Sequence, residues 1–198
     1  MEWKNRPVGA AEFLHTRKSA VLVPIVKVKG EECLLYELRS SKLKWQPGDI
    51  SFPGGGREGE ESFEETAVRE TMEELGVFRN SISILGPLDY VVSPIGVTVH
   101  PFVGTLSEKP GKLSVNEVAE LFTVPLGWLL SHEPERTTVE VATRPGEDFP
   151  KEIMARPYSD WWKRSTYDSW IYRYGKYNIW GLTGFITHEF LERIKNDK

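Results

Sequence analysis

Three glutamates at helical spacing are the strongest candidates for chemically active residues in this 198-residue chain. Glu70 precedes Glu73 and Glu74 by three and four positions, so in a helix their carboxylates lie within a few ångströms of one another. Such like charges repel each other. A divalent cation would turn that repulsion into binding, because Mg²⁺ and Mn²⁺ prefer hard oxygen ligands. A solvated acidic face that binds nothing is the alternative interpretation.

The helix that must position these glutamates has sequence signals at both ends. Ser62 and Glu65 form a capping box, which makes Ser62 the predicted N-cap. Gly76 supplies the left-handed residue that ends the helix. Between them, apolar residues at helical spacing predict a stripe that faces the core: Val68, Met72 and Leu75. The glutamates then lie on the opposite face, where Arg69 reaches Glu65 or Glu73 and holds a carboxylate in position.

The segment from Gly55 to Val77 resembles the Nudix box along its whole length. Gly55 is followed after five residues by Glu61, and after seven more by Arg69-Glu-Thr-Met-Glu-Glu-Leu-Gly-Val77. One position departs from the family pattern, since Thr71 stands where a bulky aliphatic residue is usual. Because Thr71 lies at the edge of the core-facing stripe, we expect it to change packing more than chemistry.

This resemblance implies a fold, a reaction and a set of ligands. The fold is α/β, a Nudix-type α/β/α sandwich around a mixed β-sheet, in a single domain over residues 1–198 with its core at about 18–195. The reaction is hydrolysis of a nucleoside diphosphate derivative, with Mg²⁺ or Mn²⁺ as cofactor to neutralise phosphate oxygens and orient a water. The family's metal ligands fall on Glu70, Glu73 and Glu74, with the carbonyl of Gly54 or Gly55 as another.

Further residues have supporting or catalytic roles under the same resemblance. Glu61 would be an auxiliary carboxylate that acts through water or on Arg69. The general base would come from the box carboxylates or from a later loop. Glu117 and Glu120 are the later candidates, and Glu117 ranks first. An exposed helix carboxylate is the alternative interpretation of each.

The residues before the box resemble a narrower signature, that of the coenzyme A pyrophosphatases. Arg39-Ser-Ser-Lys-Leu43, Gly48 and Phe52-Pro-Gly-Gly55 keep its order and spacing. The departures are Tyr36, Glu37, Lys44, Gln46 and Asp49, in place of Leu, Thr, Arg, His and Gln. Arg39 and Lys44 are candidates to bind the 3′-phosphate of coenzyme A, with Phe52 in the same substrate site. Solvated strand-end cations are the alternative for both.

Two later segments also resemble this subfamily. They are Asn116-Glu-Val118 through Val124-Pro-Leu126, and Ile179-Trp-Gly-Leu-Thr-Gly184, in which Gly184 stands where Ala is common. The segment 145–180 is rich in aromatic residues between Tyr158 and Trp180. An adenine, a pantetheine or the partner subunit of a homodimer could stack there. Packing of the last helix onto the sheet is the favoured interpretation.

Apolar runs and turn residues predict the elements that support the site. A valine-rich strand at Ala20–Lys29 and a second strand at Cys33–Leu38 form a hairpin. The remaining predicted strands are Ile82–Val92, Val97–Leu106, Thr137–Ala142 and Ser169–Tyr174. The remaining predicted helices are Asn116–Phe122, one just after Pro125, and Gly184–Lys195. Strand pairs that enclose single helices favour a sandwich on a mixed sheet over a regular doubly wound fold.

Composition and charge limit the partners. A net charge of −4 gives no basic face for nucleic acid, although cations can lie between an acidic protein and a phosphate substrate. The sequence contains no run of about 18 apolar residues, so it predicts no membrane span. The N-terminus is not expected to be a signal or transit peptide. The lone Cys33 is predicted to be a buried strand residue. We therefore expect a cytoplasmic enzyme that binds a small nucleotide, and neither nucleic acid nor membrane.

Three alternatives stay open. The same chemistry could act on ADP-ribose, NADH or another nucleoside diphosphate derivative. A non-catalytic nucleotide-binding module is expected to have lost metal ligands, whereas all the box carboxylates are present here. An isopentenyl diphosphate isomerase of the same fold would need a catalytic cysteine, and Cys33 is poorly placed for that role.

Overall fold

The computed structural model describes residues 17–154 and 161–196. Within these ranges the chain forms strands β1–β11, α-helices α1–α3 and two short 3₁₀ helices at Arg79–Ser81 and Lys151–Ile153. The strands are β1 Arg17–Val28, β2 Glu31–Arg39, β3 Ile50–Ser51, β4 Gly54–Gly56, β5 Ile82–Pro87, β6 Val91–Ser93, β7 Val97–Leu106, β8 Val118–Pro125, β9 Glu135–Thr143, β10 Trp162–Tyr174 and β11 Tyr177–Ile179. The α-helices are α1 Phe63–Leu75, α2 Leu126–Ser131 and α3 Gly181–Asn196.

A mixed sheet of eight strands lies at the centre of the described structure. Its main path runs in the order β3-β2-β1-β7-β5, and β4, β6 and β8 pair with β1, β7 and β2. β1 and β7 are parallel, and the other pairs are antiparallel. β9, β10 and β11 form a second, antiparallel sheet. The mixed sheet agrees with the prediction.

Apolar side chains pack on both faces of the large sheet. Neighbouring residues of a strand point to opposite faces, so Leu35 packs with Leu75 of α1 while Leu34 packs with Phe190 of α3. The sheet therefore lies between helices on its two faces. This arrangement confirms the predicted α/β/α sandwich.

Most predicted elements agree with the structure. β1 and β2 form the expected hairpin, in which Val28 lies opposite Glu31. The predicted strand Val97–Leu106 has the same bounds as β7, and the last helix begins earlier than predicted, at Gly181. The long strand predicted at 82–92 is two strands, β5 and β6, and both pair with β7.

The helix predicted at Asn116–Phe122 is wrong, because this segment enters β8. Val118 and Phe122 are buried four residues apart, a spacing that fits both a helix and a strand. Pairing decides between the two. β8 runs antiparallel to β2 from Cys33 opposite Pro125 onward, with an irregular register at Leu38 and Arg39. The short helix predicted just after Pro125 is confirmed as α2.

Cys33 is buried in β2, as predicted. Burial is the main cause that raises the pKa of its thiol, and the nearby charge of Glu31 raises it further. A raised pKa keeps the sulfur as an unreactive thiol, consistent with a packing role. In the described part of the chain, no helix has both the length and the apolar character needed to cross a membrane.

Gly184 lets α3 lie very close to β10. A Cβ built at Gly184 would lie 2.3 Å from the backbone oxygen of Trp170. We therefore expect Gly184→Ala to force α3 away from β10. Strain of about 1–3 kcal/mol would outweigh the gain of up to about 1 kcal/mol in helix propensity. Thermal unfolding should show a melting temperature that is several degrees lower.

The matched control for this substitution is Gly127→Ala in α2. The nearest atom to its added Cβ would be Oε1 of Glu31 at 3.8 Å, which is an ordinary contact. This variant should be as stable as the parent or slightly more stable. Equal melting temperatures for the two variants would contradict the close packing at Gly184.

Candidate active site

Helix α1 has the ends that its sequence predicts. The backbone N–H of Glu65 donates to Oγ of Ser62, and the N–H of Ser62 donates to Oε2 of Glu65 at 2.7 Å. Gly76 has φ 62° and ends the helix in the left-handed conformation. The capping box occupies Glu65, which explains why Arg69 pairs with other carboxylates.

The buried face of α1 differs from the prediction at two positions. Met72 is only partly buried, whereas Glu74 is 4% exposed. The face that meets the sheet is centred on two small residues, Ala67 and Thr71, which let α1 pack closely on β1 and β4. The hydroxyl of Thr71 donates to the carbonyl of Ala67 at 2.7 Å. Glu74 therefore lies between helix and sheet, and not on an open acidic face.

Arg69 connects the carboxylates around α1. Its guanidinium donates to both oxygens of Glu61, at 2.9 and 3.1 Å, and to Oε1 of Glu70 at 2.9 Å. It also reaches Oε2 of Glu73 at 3.4 Å and the carbonyl of Gly56 at 3.0 Å. Because Arg69 makes all of these contacts, it holds the helix carboxylates against the glycine strand β4.

The glycines of β4 approach two of the glutamates closely. The N–H of Gly54 donates to Oε2 of Glu74 at 2.8 Å. A Cβ built at Gly55 would lie 2.4 Å from Oε1 of Glu70, so a side chain at this position would push that carboxylate out of its place beside β4. The structure thus brings together seven of the predicted site residues: Gly54, Gly55, Glu61, Arg69, Glu70, Glu73 and Glu74.

The pKa values of these carboxylates shift in different directions. Those of Glu74 and Glu70 rise, whereas that of Glu61 falls. Burial is the main cause that raises the pKa of Glu74, and the charge of Glu37 raises it further. Burial also raises the pKa of Glu70, although hydrogen bonds from Arg69 oppose the rise. Hydrogen bonds from Arg69 are the main cause that lowers the pKa of Glu61 to about 2. The buried end of the cluster therefore favours a proton or a cation, while Glu61 stays anionic.

The chemistry of these side chains fits a divalent cation. Within residues 17–154 and 161–196, no group of three or more His, Cys, Asp or Glu side chains is arranged to hold a metal ion as it stands. Glu74 accepts from Gly54, and Glu70 pairs with Arg69. The donors are all carboxylate oxygens, however, and a buried oxygen of Glu37 has no hydrogen-bond partner. Oxygen donors of this kind suit Mg²⁺ or Mn²⁺.

The two later glutamates lie in different surroundings. Glu117 precedes β8 and accepts from Oγ of Ser114 at 2.7 Å, and its charge is close enough to raise the pKa of Glu70 and Glu74. Glu120 instead accepts from Lys176 and from the hydroxyl of Tyr177. Of the two, Glu117 is therefore the one near the box carboxylates. Neither lies in a helix.

A cavity of about 590 Å³ adjoins the box at Gly54 and Gly55. Arg39 and Phe52 line it, and Phe52 also stacks on Tyr36 with ring centres 4.9 Å apart. Nε of Arg39 is buried without a hydrogen-bond partner. Lys44 is exposed and does not line this cavity, so the structure does not bring it together with Arg39.

The aromatic segment divides between packing and the cavity. Four of its rings contact the core or the neighbouring helices: Trp170, Tyr172, Tyr174 and Tyr177. Tyr167 and Trp180 line the cavity and are 38% and 50% exposed. Trp170 lines it as well. Four of the eight aromatic residues at 161–180 therefore pack as expected, and three can meet a ligand. Tyr158 lies outside the described residues.

Glu37 is a residue of this site that the sequence predictions missed. At the sequence level it stands out only as a replacement for a usual Thr. It is 1% exposed in β2, and its charge is the one that most raises the pKa of Glu74. The available signal was an acidic residue within the apolar strand segment Leu34-Leu-Tyr-Glu-Leu38, because a buried carboxylate is costly without a partner.

The family model described as the NUDIX domain matches residues 16–143, which include the box and Glu117. The chain belongs to the Nudix family. It is accordingly a hydrolase that acts on phosphoanhydride bonds, a Nudix pyrophosphatase, and the resemblance found in the box is confirmed.

Two curated relatives match almost the whole chain, and another matches a shorter part of it. The mitochondrial coenzyme A diphosphatase NUDT8 of Homo sapiens is 34% identical over 94% of this chain and 74% of its own length. The Nudix hydrolase NudL of Citrobacter koseri is 31% identical over 96% of this chain and 88% of its own length. The peroxisomal coenzyme A diphosphatase NUDT7 of Mus musculus is 34% identical over 69% of this chain and 58% of its own length.

Proposed function

We propose that this Nudix hydrolase cleaves the pyrophosphate bond of coenzyme A or its derivatives, giving 3′,5′-ADP and 4′-phosphopantetheine. The observation that carries the proposal is the cavity of about 590 Å³, which joins the box glycines to Arg39 and to several aromatic rings. A pyrophosphate beside Gly54 and Gly55 would leave its nucleotide within reach of these groups. Two relatives named as coenzyme A diphosphatases support the same substrate.

Each part of the cavity suits one part of coenzyme A. The guanidinium of Arg39, with its unpartnered Nε, would donate to the 3′-phosphate. Trp180 and Tyr167 offer exposed ring faces to adenine or to the pantetheine chain. Phe52 and Val21 give the cavity an apolar wall. Lys44, which lies outside the lining, has no part in this proposal.

The box would act on the pyrophosphate itself. Glu70, Glu73 and Glu74 would hold Mg²⁺ or Mn²⁺, and the bound cation supplies positive charge against the phosphate oxygens. Arg69 keeps Glu70 and Glu73 in place, and Glu61 keeps Arg69 in place. Glu117 would take the proton of the attacking water as general base.

The same chemistry on ADP-ribose or NADH is the second candidate. Neither substrate carries a 3′-phosphate, so neither would use Arg39 in the way proposed. Coenzyme A and 3′-dephospho-coenzyme A differ only in this phosphate. Comparing their turnover therefore tests the proposed role of Arg39, and ADP-ribose and NADH test the second candidate. The expected cytoplasmic location stays a prediction, as do the single domain and a homodimer.

The test compares coenzyme A, 3′-dephospho-coenzyme A, ADP-ribose and NADH, each with Mg²⁺ or Mn²⁺, with products resolved by chromatography. We expect the parent to release 3′,5′-ADP from coenzyme A, and Glu74→Gln to release it more than about 100-fold more slowly. Arg39→Gln should lower kcat/KM for coenzyme A by about 10- to 100-fold, as expected for a lost charge-assisted hydrogen bond, and leave 3′-dephospho-coenzyme A little changed.

Lys44→Gln is the matched control, because it removes a nearby cation that does not line the cavity. It should leave the preference for coenzyme A unchanged. Cleavage of ADP-ribose or NADH alone would keep the Nudix chemistry and contradict the coenzyme A proposal. Equal losses on both coenzyme A substrates in Arg39→Gln would contradict the role of Arg39.

A further inference from the structure

Glu37 lies on the face of the sheet that α1 covers. Leu35, two residues earlier in β2, packs with Leu75 of α1, and alternation sends Glu37 to the same face. The residue of β8 that pairs with Glu37 is Leu121, which packs against the cluster formed by Leu35, Leu75 and their neighbours. The side chain of Glu37 therefore points toward the helix that carries the box glutamates.

Unpartnered polar atoms gather around Glu37. In the described part of the chain, four buried side-chain polar atoms have no hydrogen-bond partner, and three of them lie at this end of β2 and β3. They are Oε1 of Glu37, Nε of Arg39 and Oγ of Ser51, and Ser51 lies directly opposite Glu37. Buried polar atoms are normally satisfied. Nε of Arg39 can only donate and therefore needs an anion, so Oε1 of Glu37 and Oγ of Ser51 are the two atoms that a cation could complete.

The unpartnered carboxylate is also adjacent to the box. Ser51, opposite Glu37, is followed three residues later by Gly54, whose N–H donates to the buried carboxylate of Glu74. The carboxylates of Glu37 and Glu74 are thus both buried where α1 covers the sheet. Without a cation between them, such charges repel and cost stability.

We propose that Glu37 is a further oxygen ligand of the divalent cation at the box, supplied by the sheet opposite Glu74. This inference rests on the proposed metal-dependent function, and it adds a residue outside the box. It also accounts for a charged residue within an otherwise apolar strand. A carboxylate from the sheet would add one oxygen donor to those of the box glutamates.

The competing explanation is that Glu37 only orients Arg39, which lies two residues along the same strand. In that case, replacing Glu37 would weaken binding of the substrate and would leave the affinity for the metal unchanged. The two roles are separated by measuring Mn²⁺ affinity without substrate.

The experiment measures Mn²⁺ binding to the whole protein by calorimetry and by electron paramagnetic resonance. Glu37→Gln keeps the shape, and Glu37→Thr introduces the residue that the subfamily usually has. We expect Kd for Mn²⁺ to rise by at least about 10-fold in both variants. Their metal-free forms should unfold at the same or a higher temperature than the parent, because a buried charge has been removed.

Glu32→Gln is the matched control, since Glu32 is an exposed glutamate of the same strand, and its Mn²⁺ affinity should stay unchanged. Unchanged Mn²⁺ affinity in Glu37→Gln would overturn the proposal, even if KM for the nucleotide rose. A parent protein that binds Mn²⁺ through Glu37 but leaves coenzyme A intact would contradict only the proposed substrate and would keep Glu37 as a metal ligand. A parent that binds no Mn²⁺ would overturn both.

Discussion

Glu74→Gln is expected to lower metal-dependent turnover by more than about 100-fold. Residues that only support metal ligands already change affinity or activity by about 10- to 100-fold, so loss of a direct ligand should exceed that range. Glutamine has nearly the same shape, and its amide oxygen can still accept from the N–H of Gly54. The fold should therefore persist while the charge that attracts the cation is lost. Steady-state kinetics across a range of Mg²⁺ and Mn²⁺ concentrations measures the effect.

The stability of the same variant should depend on pH in a defined direction. Burial raises the pKa of Glu74 above its ordinary value of 4.5, so the folded metal-free protein binds this proton more tightly than the unfolded chain does. The parent therefore loses stability as pH rises above 4.5. Glu74→Gln has no such proton to lose. Its stability relative to the parent should increase with pH, as measured by denaturant unfolding in the presence of a chelator.

Glu64→Gln is the control for both measurements. It makes the same change on the same helix, at an exposed position in the first turn. It should retain turnover and show no growing advantage at high pH. Turnover in Glu74→Gln close to that of the parent would rule out Glu74 as a metal ligand.

Local signals in the sequence predicted the framework of the site. The capping box at Ser62 and the terminal Gly76 set the limits of α1 without reference to the rest of the fold. Runs of valine and other apolar residues bounded by Gly and Pro turns also predicted the bounds of β1, β2 and β7 closely. These features depend on neighbouring residues alone, and sequence contains that information.

Features that depend on distant partners were not predicted. A spacing of four between Val118 and Phe122 suits a helix, and only pairing with β2 makes the segment a strand. The rotation of α1 that buries Glu74 depends on how closely Ala67 and Thr71 approach the sheet. Glu37 illustrates the same limit, because its importance arises from Glu70 and Glu74, which lie more than thirty residues away in the chain.

Gly55→Ala is expected to lower kcat/KM by about 100-fold without removing any charged group. The added Cβ would lie 2.4 Å from the carboxylate of Glu70, which must move away and give up its hydrogen bond of 2.9 Å with Arg69. A displacement of about 1 Å at a catalytic group can reduce rates by about 10²-fold. The affinity for Mn²⁺ should fall as well, because Glu70 no longer occupies its position beside β4.

Gly56→Ala is the matched control for this substitution. It adds the same methyl group one residue later, where no atom lies within 4 Å, and it keeps the carbonyl that accepts from Arg69. Turnover should stay near that of the parent, and circular dichroism should show both variants folded. If both alanine variants retained full activity, Glu70 would not need its observed position. If both lost activity equally, flexibility of the glycine strand would matter, and not the space that Gly55 leaves for Glu70.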